Sequence, residues 1–440
     1  MKNPVLSLQK PHTSLRGELT IPGDKSISHR AIMFGSLAEG TTEITHFLAG
    51  ADCLSTIDCF RKMGIAVDIS GETVRVHGKG LHGLKAPQET LDCGNSGTTM
   101  RLLAGVLAGQ PFLSELTGDH SIQKRPMNRV ITPLRQMGAA ICSHEDSGCA
   151  PLTIQGCSLH GTHYDSPVAS AQVKSCVLLA GLYADSVTTV TEPALSRDHT
   201  ERLLQQFGAE LQVGALSDSA DPDARPAVSI FPDPYLTASS VCVPGDISSA
   251  AYFLTAASLV PDSEIVLKNV GINPTRDGIL RVLQDMDADI SVENVRLGTE
   301  PSADLIVRHA SLHGTTIAGD LIPSLIDEIP ILAVAAAAAE GTTVIRDAAE
   351  LKVKESDRIA LVVNGLQQMG ADAEATEDGM IIRGGKPLHG ALIDTRGDHR
   401  LAMSFAVASL LAEGELTLTD SSCVSVSYPG FFSDLQSLLL

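Results

Sequence analysis

One pattern recurs six times at regular intervals along the 440 residues of the sequence, and this repetition limits the folds that the chain can adopt. In each repeat an Ala- and Leu-rich segment leads through a small turn into a β-branched segment, as in LLAGLYADSVTTVTE at 178–192. Regular internal repetition indicates a fold assembled from copies of one supersecondary unit. The turns are evenly spaced and fall near Gly40, Gln110, Ser186, Ser263, Gly341 and Gly414.

A second pattern marks the ends of amphipathic helices. An apolar residue precedes a glycine at four of these ends, whereas Asp287 takes the place of the glycine at another. Glycine readily adopts the left-handed conformation in which many helices end, and short alternating segments follow as strands. Each repeat is therefore predicted to be βαβαββ, and a last helix at 431–440 ends the chain without its strands. The four glycines follow Met63, Met137, Phe207 and Met369.

The two halves of the sequence also resemble each other. PGDKS at 22–26 begins one half and PGDIS at 244–248 begins the other, and each precedes an apolar helix. Three repeats give a domain of ordinary size. We therefore predict an α/β fold with two lobes of three βαβαββ units each. The discontinuous lobe comprises residues 1–22 and 245–440, and the inserted lobe comprises residues 23–244.

Charge and composition exclude several classes of protein. The 32 Lys and Arg against 52 Asp and Glu give a net charge of -20, and aromatic residues make up only 3%. This balance argues against a general nucleic-acid binder, because such a protein needs a basic surface and often aromatic stacking platforms. The nine cysteines form no C-x-x-C pair, so neither a zinc ribbon nor a disulfide framework is indicated.

No segment is typical of a signal peptide or a membrane span. The first twelve residues lack an apolar signal core. The longest apolar run, 329–339, contains a proline and is too short to cross a bilayer. We therefore expect a cytoplasmic protein without a membrane partner.

Basic side chains recur at or just before the predicted helix starts. Each one alone is consistent with a solvated capping segment. If the helix starts converge, however, their free N–H groups and these cations would form a positive cleft inside an acidic protein, suited to a small and highly anionic ligand. Carboxylates at Asp327-Glu328 and in the charged run 352–358 lie beside this set and could transfer protons. The basic residues are Lys25, Arg30, Arg125, Lys174, Arg197, Lys354, Arg358 and Arg400.

Eight motifs together resemble those of the 5-enolpyruvylshikimate-3-phosphate (EPSP) synthase family, the 3-phosphoshikimate 1-carboxyvinyltransferases. The resemblance covers nearly the whole chain and is closest to the second sequence class of the family. It implies the inside-out α/β barrel fold, with helix N-termini directed at a cleft between the lobes, and neither a cofactor nor a metal. In order, the motifs are PGDKSISHRA, GNSGTTMR, KRPM, SAQVKS, RDHTE, DEIPILAVAAA, LKVKESDRIA and DHRLAMS.

The resemblance also implies a reaction and a site. The enolpyruvyl group of phosphoenolpyruvate would move to the 5-hydroxyl of shikimate 3-phosphate in the shikimate pathway, which leads to chorismate and the aromatic amino acids. The implied catalytic residues are Asp327, Glu355, Lys25 and Lys354. Phosphoenolpyruvate would contact Lys25, Gly97, Arg125, Gln172, Arg358 and Arg400. Shikimate 3-phosphate would contact Lys25, Ser26, Arg30, Ser170, Gln172, Arg197, Asp327 and Lys354.

Two positions depart from patterns found in the family. Val426 stands where many members have a lysine near the C-terminus, so another cation would have to serve or the phosphate would be held less firmly. Gly97 stands where some members have alanine. In those members the alanine side chain narrows the phosphoenolpyruvate pocket and disfavours binding of the inhibitor glyphosate. The resemblance therefore implies that glyphosate can bind.

Three alternatives stay open on the sequence. A related enzyme transfers enolpyruvyl to UDP-N-acetylglucosamine, but it uses a loop cysteine where this chain has His120. An RNA-binding or RNA-end-modifying protein can be built from the same units, which the acidic charge opposes. An inactive anion-binding protein is opposed by the near-complete set of cations and carboxylates. We expect a monomer whose partners are its two small substrates.

Overall fold

A computed structural model describes residues 5–10, 13–215 and 225–439 of the chain. Contacts within the chain separate two compact units: Met1–Pro22 with Pro244–Leu440, here the discontinuous unit, and Gly23–Val243, here the inserted unit. The predicted lobes differ from this division at residue 244. Their residues 1–4, 11–12, 216–224 and 440 lie outside the described residues. That each unit is a separate domain stays a prediction.

Thirteen helices occur in the described residues, and the first and second helices of each predicted repeat are among them. Their bounds are α1 (Lys25–Leu37), α2 (Ala51–Lys62), α3 (Gly97–Ala108), α4 (Asn128–Gln136), α5 (Ala171–Gly181), α6 (His199–Gln206), α7 (Ile247–Leu259), α8 (Gly278–Asp285), α9 (Ile322–Leu325), α10 (Ile329–Ala338), α11 (Arg358–Gln368), α12 (His399–Ser409) and α13 (Phe431–Leu438).

The strands are short and are interspersed with the helices along the chain. Their bounds are β1 (Val5–Gln9), β2 (Arg16–Thr20), β3 (Glu39–Thr45), β4 (Ala66–Ser70), β5 (Thr73–Lys79), β6 (Leu91–Asp92), β7 (Leu113–Thr117), β8 (Ala140–Ser143), β9 (Leu152–Gln155), β10 (His163–Asp165), β11 (Thr188–Thr191), β12 (Leu211–Ala215), β13 (Pro226–Ile230), β14 (Ser240–Cys242), β15 (Glu264–Gly271), β16 (Asp289–Arg296), β17 (Ser302–Arg308), β18 (Thr316–Ile317), β19 (Thr342–Ile345), β20 (Asp372–Ala375), β21 (Met380–Arg383), β22 (Leu392–Ile393) and β23 (Glu415–Thr419).

The inserted unit contains three four-stranded sheets with one common topology. Their strand orders are β14-β3-β5-β4, β6-β7-β9-β8 and β10-β11-β13-β12. In each sheet the first two strands are parallel, and the other two add antiparallel. A parallel pair needs a crossover, and the first helix of the repeat supplies it in the second and third sheets.

The discontinuous unit has the same topology in its first two sheets, β2-β15-β17-β16 and β18-β19-β21-β20. Its third sheet has three strands within the described residues, in the order β22-β23-β1. The N-terminal strand β1 pairs antiparallel with β23 and places Leu6 opposite Leu418. The last repeat is thus completed by the other end of the chain.

Helices form the interior of each unit and sheets cover them. The first helix of a repeat is buried on nearly all sides: α10 buries every residue from Ile329 to Ala337, and α1 every residue from Ile27 to Leu37. Helices that are apolar all round belong in a core. Accordingly α7, α10 and α12 pack against one another, and α3 packs against α1 and α5.

Within the described residues no single helix combines the length and apolarity of a membrane span, although the bent pair Gly319–Leu325 and Ile329–Ala338 passes that test when taken together.

The predicted left-handed helix ends are confirmed. Gly64, Gly138, Gly208 and Gly370 have φ of 88°, 91°, 98° and 88°, and Asp287 has φ of 69°. At α8 the Asp287 N–H donates to Gln284 O and the Ala288 N–H to Leu283 O, which is the pattern of a Schellman motif. An aspartate in this conformation carries a steric cost that glycine avoids.

We expect Asp287→Gly to raise the free energy of unfolding by about 0.5–1 kcal/mol, because it relieves this cost. The exposed Asp287–His313 ion pair at 3.1 Å offsets little. Asp285→Gly, at the last residue of the helix, should instead lower stability by less than about 1 kcal/mol or leave it unchanged. Urea unfolding of both variants measures the difference, and a destabilised Asp287→Gly would contradict the expectation.

Candidate functional site

In the inserted unit, the start of α1 presents two of the predicted cations. Asp24 caps the helix by accepting from the Ile27 N–H, and Lys25 Nζ donates to Asp52 Oδ2 at 3.1 Å. Lys25 keeps 19% of its side chain exposed. Arg30 is only 2% exposed, and its guanidinium donates to Thr200 Oγ1 at 2.7 Å and Ser175 Oγ at 2.9 Å. Lys25 is therefore accessible to a ligand. The hydrogen bonds of Arg30 connect α1 to α5 and α6. That Arg30 contacts a substrate stays a prediction.

A loop at the start of α3 holds the next predicted residues. Arg125 donates to Asn95 Oδ1 at 2.8 Å and to Asn95 O at 3.3 Å. Its backbone is extended, with φ of -80° and ψ of 137°, as the following proline favours. A Cβ on Gly97 would lie 2.9 Å from Arg101 Nη1 and 3.5 Å from Arg125 Nη1. The missing side chain at 97 thus leaves room for two guanidinium groups, and an alanine there would press on them.

Hydrogen bonds bring the starts of α1, α3 and α5 together within this unit. Gln172, in the first turn of α5, donates to Thr98 Oγ1 at 2.9 Å. Its own amide oxygen is buried and has no hydrogen-bond partner among the residues that the structure describes. Ser170 is buried at the N-cap position of the same helix, without a capping hydrogen bond from its side chain within the described residues. Ser26, next to Lys25, is half-buried, and so is Arg197 just before α6. The predicted residues of this unit therefore lie around neighbouring helix starts, as an anion site requires.

Lys174 was expected among the ligand-facing cations, and this expectation is wrong. Its side chain is 2% exposed and lies 2.9 Å from Glu192 Oε2 and 2.8 Å from Glu201 Oε1. Burial opposes its charge, but Glu201 and Glu192 more than compensate and raise the pKa of Lys174. The lysine is thus committed to a buried ionic triad, which its position at a helix start could not reveal.

In the discontinuous unit, all five predicted residues form one ionic cluster. Asp327 is 13% exposed, and its Oδ1 lies 3.5 Å from Lys354 Nζ and 3.4 Å from Arg358 Nη1. Its Oδ2 lies 3.9 Å from Arg400 Nη2. Glu355 Oε2 accepts from Arg358 Nη2 at 2.6 Å. Asp327 is thus a carboxylate with three cations within 4.0 Å.

Asp398 fixes this cluster to the start of α12. It caps the helix by accepting from the Arg400 N–H, and it also binds Arg358 Nε at 2.9 Å. Although burial disfavours its charge, Arg358 lowers the pKa of Asp398. Burial likewise opposes the charge of Arg400, yet Asp327 raises the pKa of Arg400. Both groups are held in their charged forms.

In each unit the structure places further polar residues beside the predicted ones, and the motifs assigned no role to them. Asp52 pairs with Lys25, and Asp398 supports Arg358. Arg276, Ser248 and Glu328 form a second buried group next to Asp327. The capping pattern of Asp398-His399-Arg400 could have indicated Asp398, whereas Arg276 lies in a loop without a distinguishing local signal.

In the described part of the chain, no group of three or more His, Cys, Asp or Glu side chains could hold a metal ion. The apolar helix core, the surrounding sheets and the cations at helix starts define an α/β protein suited to binding small anions.

Comparison with known proteins identifies the family. Residues 9–435 match the family model of EPSP synthase (3-phosphoshikimate 1-carboxyvinyltransferase). The chain is 57% identical over 430 residues to the 3-phosphoshikimate 1-carboxyvinyltransferase of Geobacillus kaustophilus, with 97% of this chain and 98% of that protein covered. It is 56% identical to the protein of the same name from Synechococcus sp., with 98% and 96% covered.

A solved structure agrees. The EPSP synthase of Acinetobacter baumannii superposes with a TM-score of 0.87 at 46% identity, covering 99% of this chain and 98% of that one. The chain therefore belongs to the EPSP synthase family. The family resemblance and the fold class, two sets of three βαβαββ units in an inside-out α/β barrel, are confirmed. Neither the UDP-sugar enzyme nor an RNA-binding protein finds support in these matches.

Proposed function

We propose that this chain transfers the enolpyruvyl group of phosphoenolpyruvate to the 5-hydroxyl of shikimate 3-phosphate and releases phosphate, the reaction for which its family is named. The observation that carries the assignment of residues is the Asp327 carboxylate, which lies among Lys354, Arg358 and Arg400. Such a group combines a base with the cations that two anionic substrates need.

The chemistry is an addition followed by an elimination. In the addition, an acid protonates the methylene carbon of phosphoenolpyruvate, the 5-hydroxyl oxygen bonds to the neighbouring carbon, and a base takes the hydroxyl proton. In the elimination, the methyl carbon loses a proton and the C–O bond to phosphate breaks. Asp327 is proposed as the base for the hydroxyl, and Glu355 exchanges the proton of the carbon. Lys25 and Lys354 stabilise the developing negative charges.

Residues of both units are proposed to bind the same two substrates. Gly97, Arg125, Gln172, Arg358 and Arg400 would hold phosphoenolpyruvate together with Lys25. Shikimate 3-phosphate would be held by Lys25, Ser26, Arg30, Ser170, Gln172, Arg197, Asp327 and Lys354. The support in the discontinuous unit is that Asp327, Lys354, Arg358 and Arg400 lie in one cluster of ion pairs. In the inserted unit the support is that the residues lie around neighbouring helices, where Arg30 donates to Ser175 and Gln172 donates to Thr98.

Phosphate release tests the function. The chain should release phosphate when phosphoenolpyruvate and shikimate 3-phosphate are both present, and at background rate with either one alone. Release that does not depend on shikimate 3-phosphate would indicate a phosphatase and would overturn the proposal.

We further propose that the enzyme acts as a monomer in the cytoplasm. The nine cysteines are all free thiols, which suits a reducing compartment. Sedimentation at micromolar concentration should give the mass of one chain, 46.2 kDa, and a mass of twice that value would contradict the monomer.

Arg125→Ala should raise the KM for phosphoenolpyruvate by about 10–100-fold, because a charge-assisted hydrogen bond contributes about 1.5–3 kcal/mol. The KM for shikimate 3-phosphate and the thermal stability should change little. Lys124→Ala removes the same charge from the exposed neighbouring position and should leave both KM values within about twofold. Steady-state kinetics on the two variants measures both constants. An unchanged KM for phosphoenolpyruvate in Arg125→Ala would show that Arg125 does not bind this substrate.

A further inference from the structure

Arg276 lies buried in the discontinuous unit and was not among the predicted site residues. Its side chain is 3% exposed. Its Nη2 donates to Ser248 Oγ at 2.5 Å and lies 3.9 Å from Asp246 Oδ1, and its Nη1 lies 3.5 Å from Glu328 Oε2. Glu328 is wholly buried, and its Oε1 accepts from Ser248. Arg276 therefore compensates two carboxylates that water does not reach.

Glu328 also has a second cation nearby. Arg400 Nη1 lies 3.8 Å from Glu328 Oε1, while Arg400 Nη2 lies 3.9 Å from Asp327 Oδ2. Two adjacent carboxylates thus share one guanidinium at nearly equal distance. In the described part of the chain, Arg276 and Arg400 are the two cations within 4.0 Å of Glu328. The charge left uncompensated on Glu328 consequently decides how strongly it attracts Arg400.

We propose that Arg276 is a positioning residue for Arg400: by neutralising part of the charge of Glu328, it keeps Arg400 shared between Glu328 and Asp327 and available to the anionic substrate. The inference rests on the proposed function, in which Arg400 binds phosphoenolpyruvate. Without Arg276, the buried Glu328 carboxylate would recruit Arg400, since an unpaired buried charge is strongly unfavourable. Arg400 would then be withdrawn from Asp327 and from the substrate.

Kinetics distinguish this role from a structural one. Arg276→Met should raise the KM for phosphoenolpyruvate by about tenfold or more, with the KM for shikimate 3-phosphate within about twofold. The matched control is Arg281→Met, which removes an exposed arginine of α8 that pairs with Asp277. It should change neither KM. Arg276→Lys should recover part of the loss.

The double variant decides between the two roles. Adding Glu328→Gln to Arg276→Met removes the competing charge, so the KM for phosphoenolpyruvate should fall back toward the wild-type value. If Arg276 only supports the fold, the two substitutions should combine their losses. A double variant with a higher KM for phosphoenolpyruvate than Arg276→Met alone would overturn the proposal.

A crystal structure of each single variant reads the position of Arg400 without any assay. Arg400 should move toward Glu328 in Arg276→Met and toward Asp327 in Glu328→Gln. Because Glu328→Gln is nearly isosteric, its structure tests the positioning role even if Arg276→Met fails to fold. An unmoved Arg400 in Glu328→Gln would overturn the positioning role. A wild-type chain that releases no phosphate would instead overturn the proposed function, and the Arg400 shifts would still be readable.

Discussion

Asp327→Asn is expected to lower kcat by about 10²–10⁴-fold, the usual contribution of a general base. Asparagine has nearly the same shape but cannot accept the proton of the 5-hydroxyl. Because the substitution also frees Lys354, Arg358 and Arg400 from their shared carboxylate, the affinity for phosphoenolpyruvate should hold or rise. The loss should therefore appear in kcat and not in the KM for phosphoenolpyruvate.

Steady-state kinetics with both substrates measure this effect. Asp320→Asn, an exposed aspartate seven residues earlier, is the control for losing one negative charge and should keep kcat within about twofold. Thermal unfolding of Asp327→Asn should show an intact fold. Turnover within a few-fold of the wild type would remove Asp327 as the base.

Lys174→Met is expected to destabilise the inserted unit by about 3–5 kcal/mol, because it leaves two buried carboxylates without their cation. The lysine joins Glu192 to Glu201 and also donates to Ser196 O at 3.3 Å. Since folding raises the pKa of Lys174 above its ordinary value, the stabilisation from its protonation is fully present below that ordinary value. It is lost only as the pH rises through the folded-state pKa, so the full deficit should appear at neutral pH.

Urea unfolding at pH 7 measures the deficit. The control is Lys62→Met, which removes a more exposed lysine paired with Glu89 at 3.6 Å and should cost less than about 1 kcal/mol. A Lys174→Met variant as stable as this control would show that the triad contributes nothing net. Replacing all three members with apolar residues should recover much of the loss.

The repeats could be predicted because their signals are local. A glycine follows four of the amphipathic helices and adopts the left-handed conformation, and Asp287 adopts the same conformation at a fifth. The completion of the last sheet could not be predicted, because β1 pairs with β23 from the opposite end of the chain. The placement of β2 beside β15, and of β14 beside β3, is equally non-local. Nothing in the short segments themselves specifies these partners.

The site shows the same division. The family resemblance named Asp327, Lys354 and Arg400 as candidate site residues, and folding joins them in one cluster, while their roles stay predictions. The pattern could not separate a cation that faces a ligand from one that is buried, so Lys174 was misassigned. It also missed Arg276, whose role depends on Glu328 and on a distance that only the folded unit defines.

Calorimetric titration with shikimate 3-phosphate tests most directly the claim that both units act on one substrate pair. The wild type should bind one molecule per chain. Lys25→Ala in the inserted unit and Lys354→Ala in the discontinuous unit should each weaken that single event by about 10–100-fold, while Lys62→Ala leaves it unchanged. Full affinity in either of the first two variants, or two independent binding events per chain, would contradict the account.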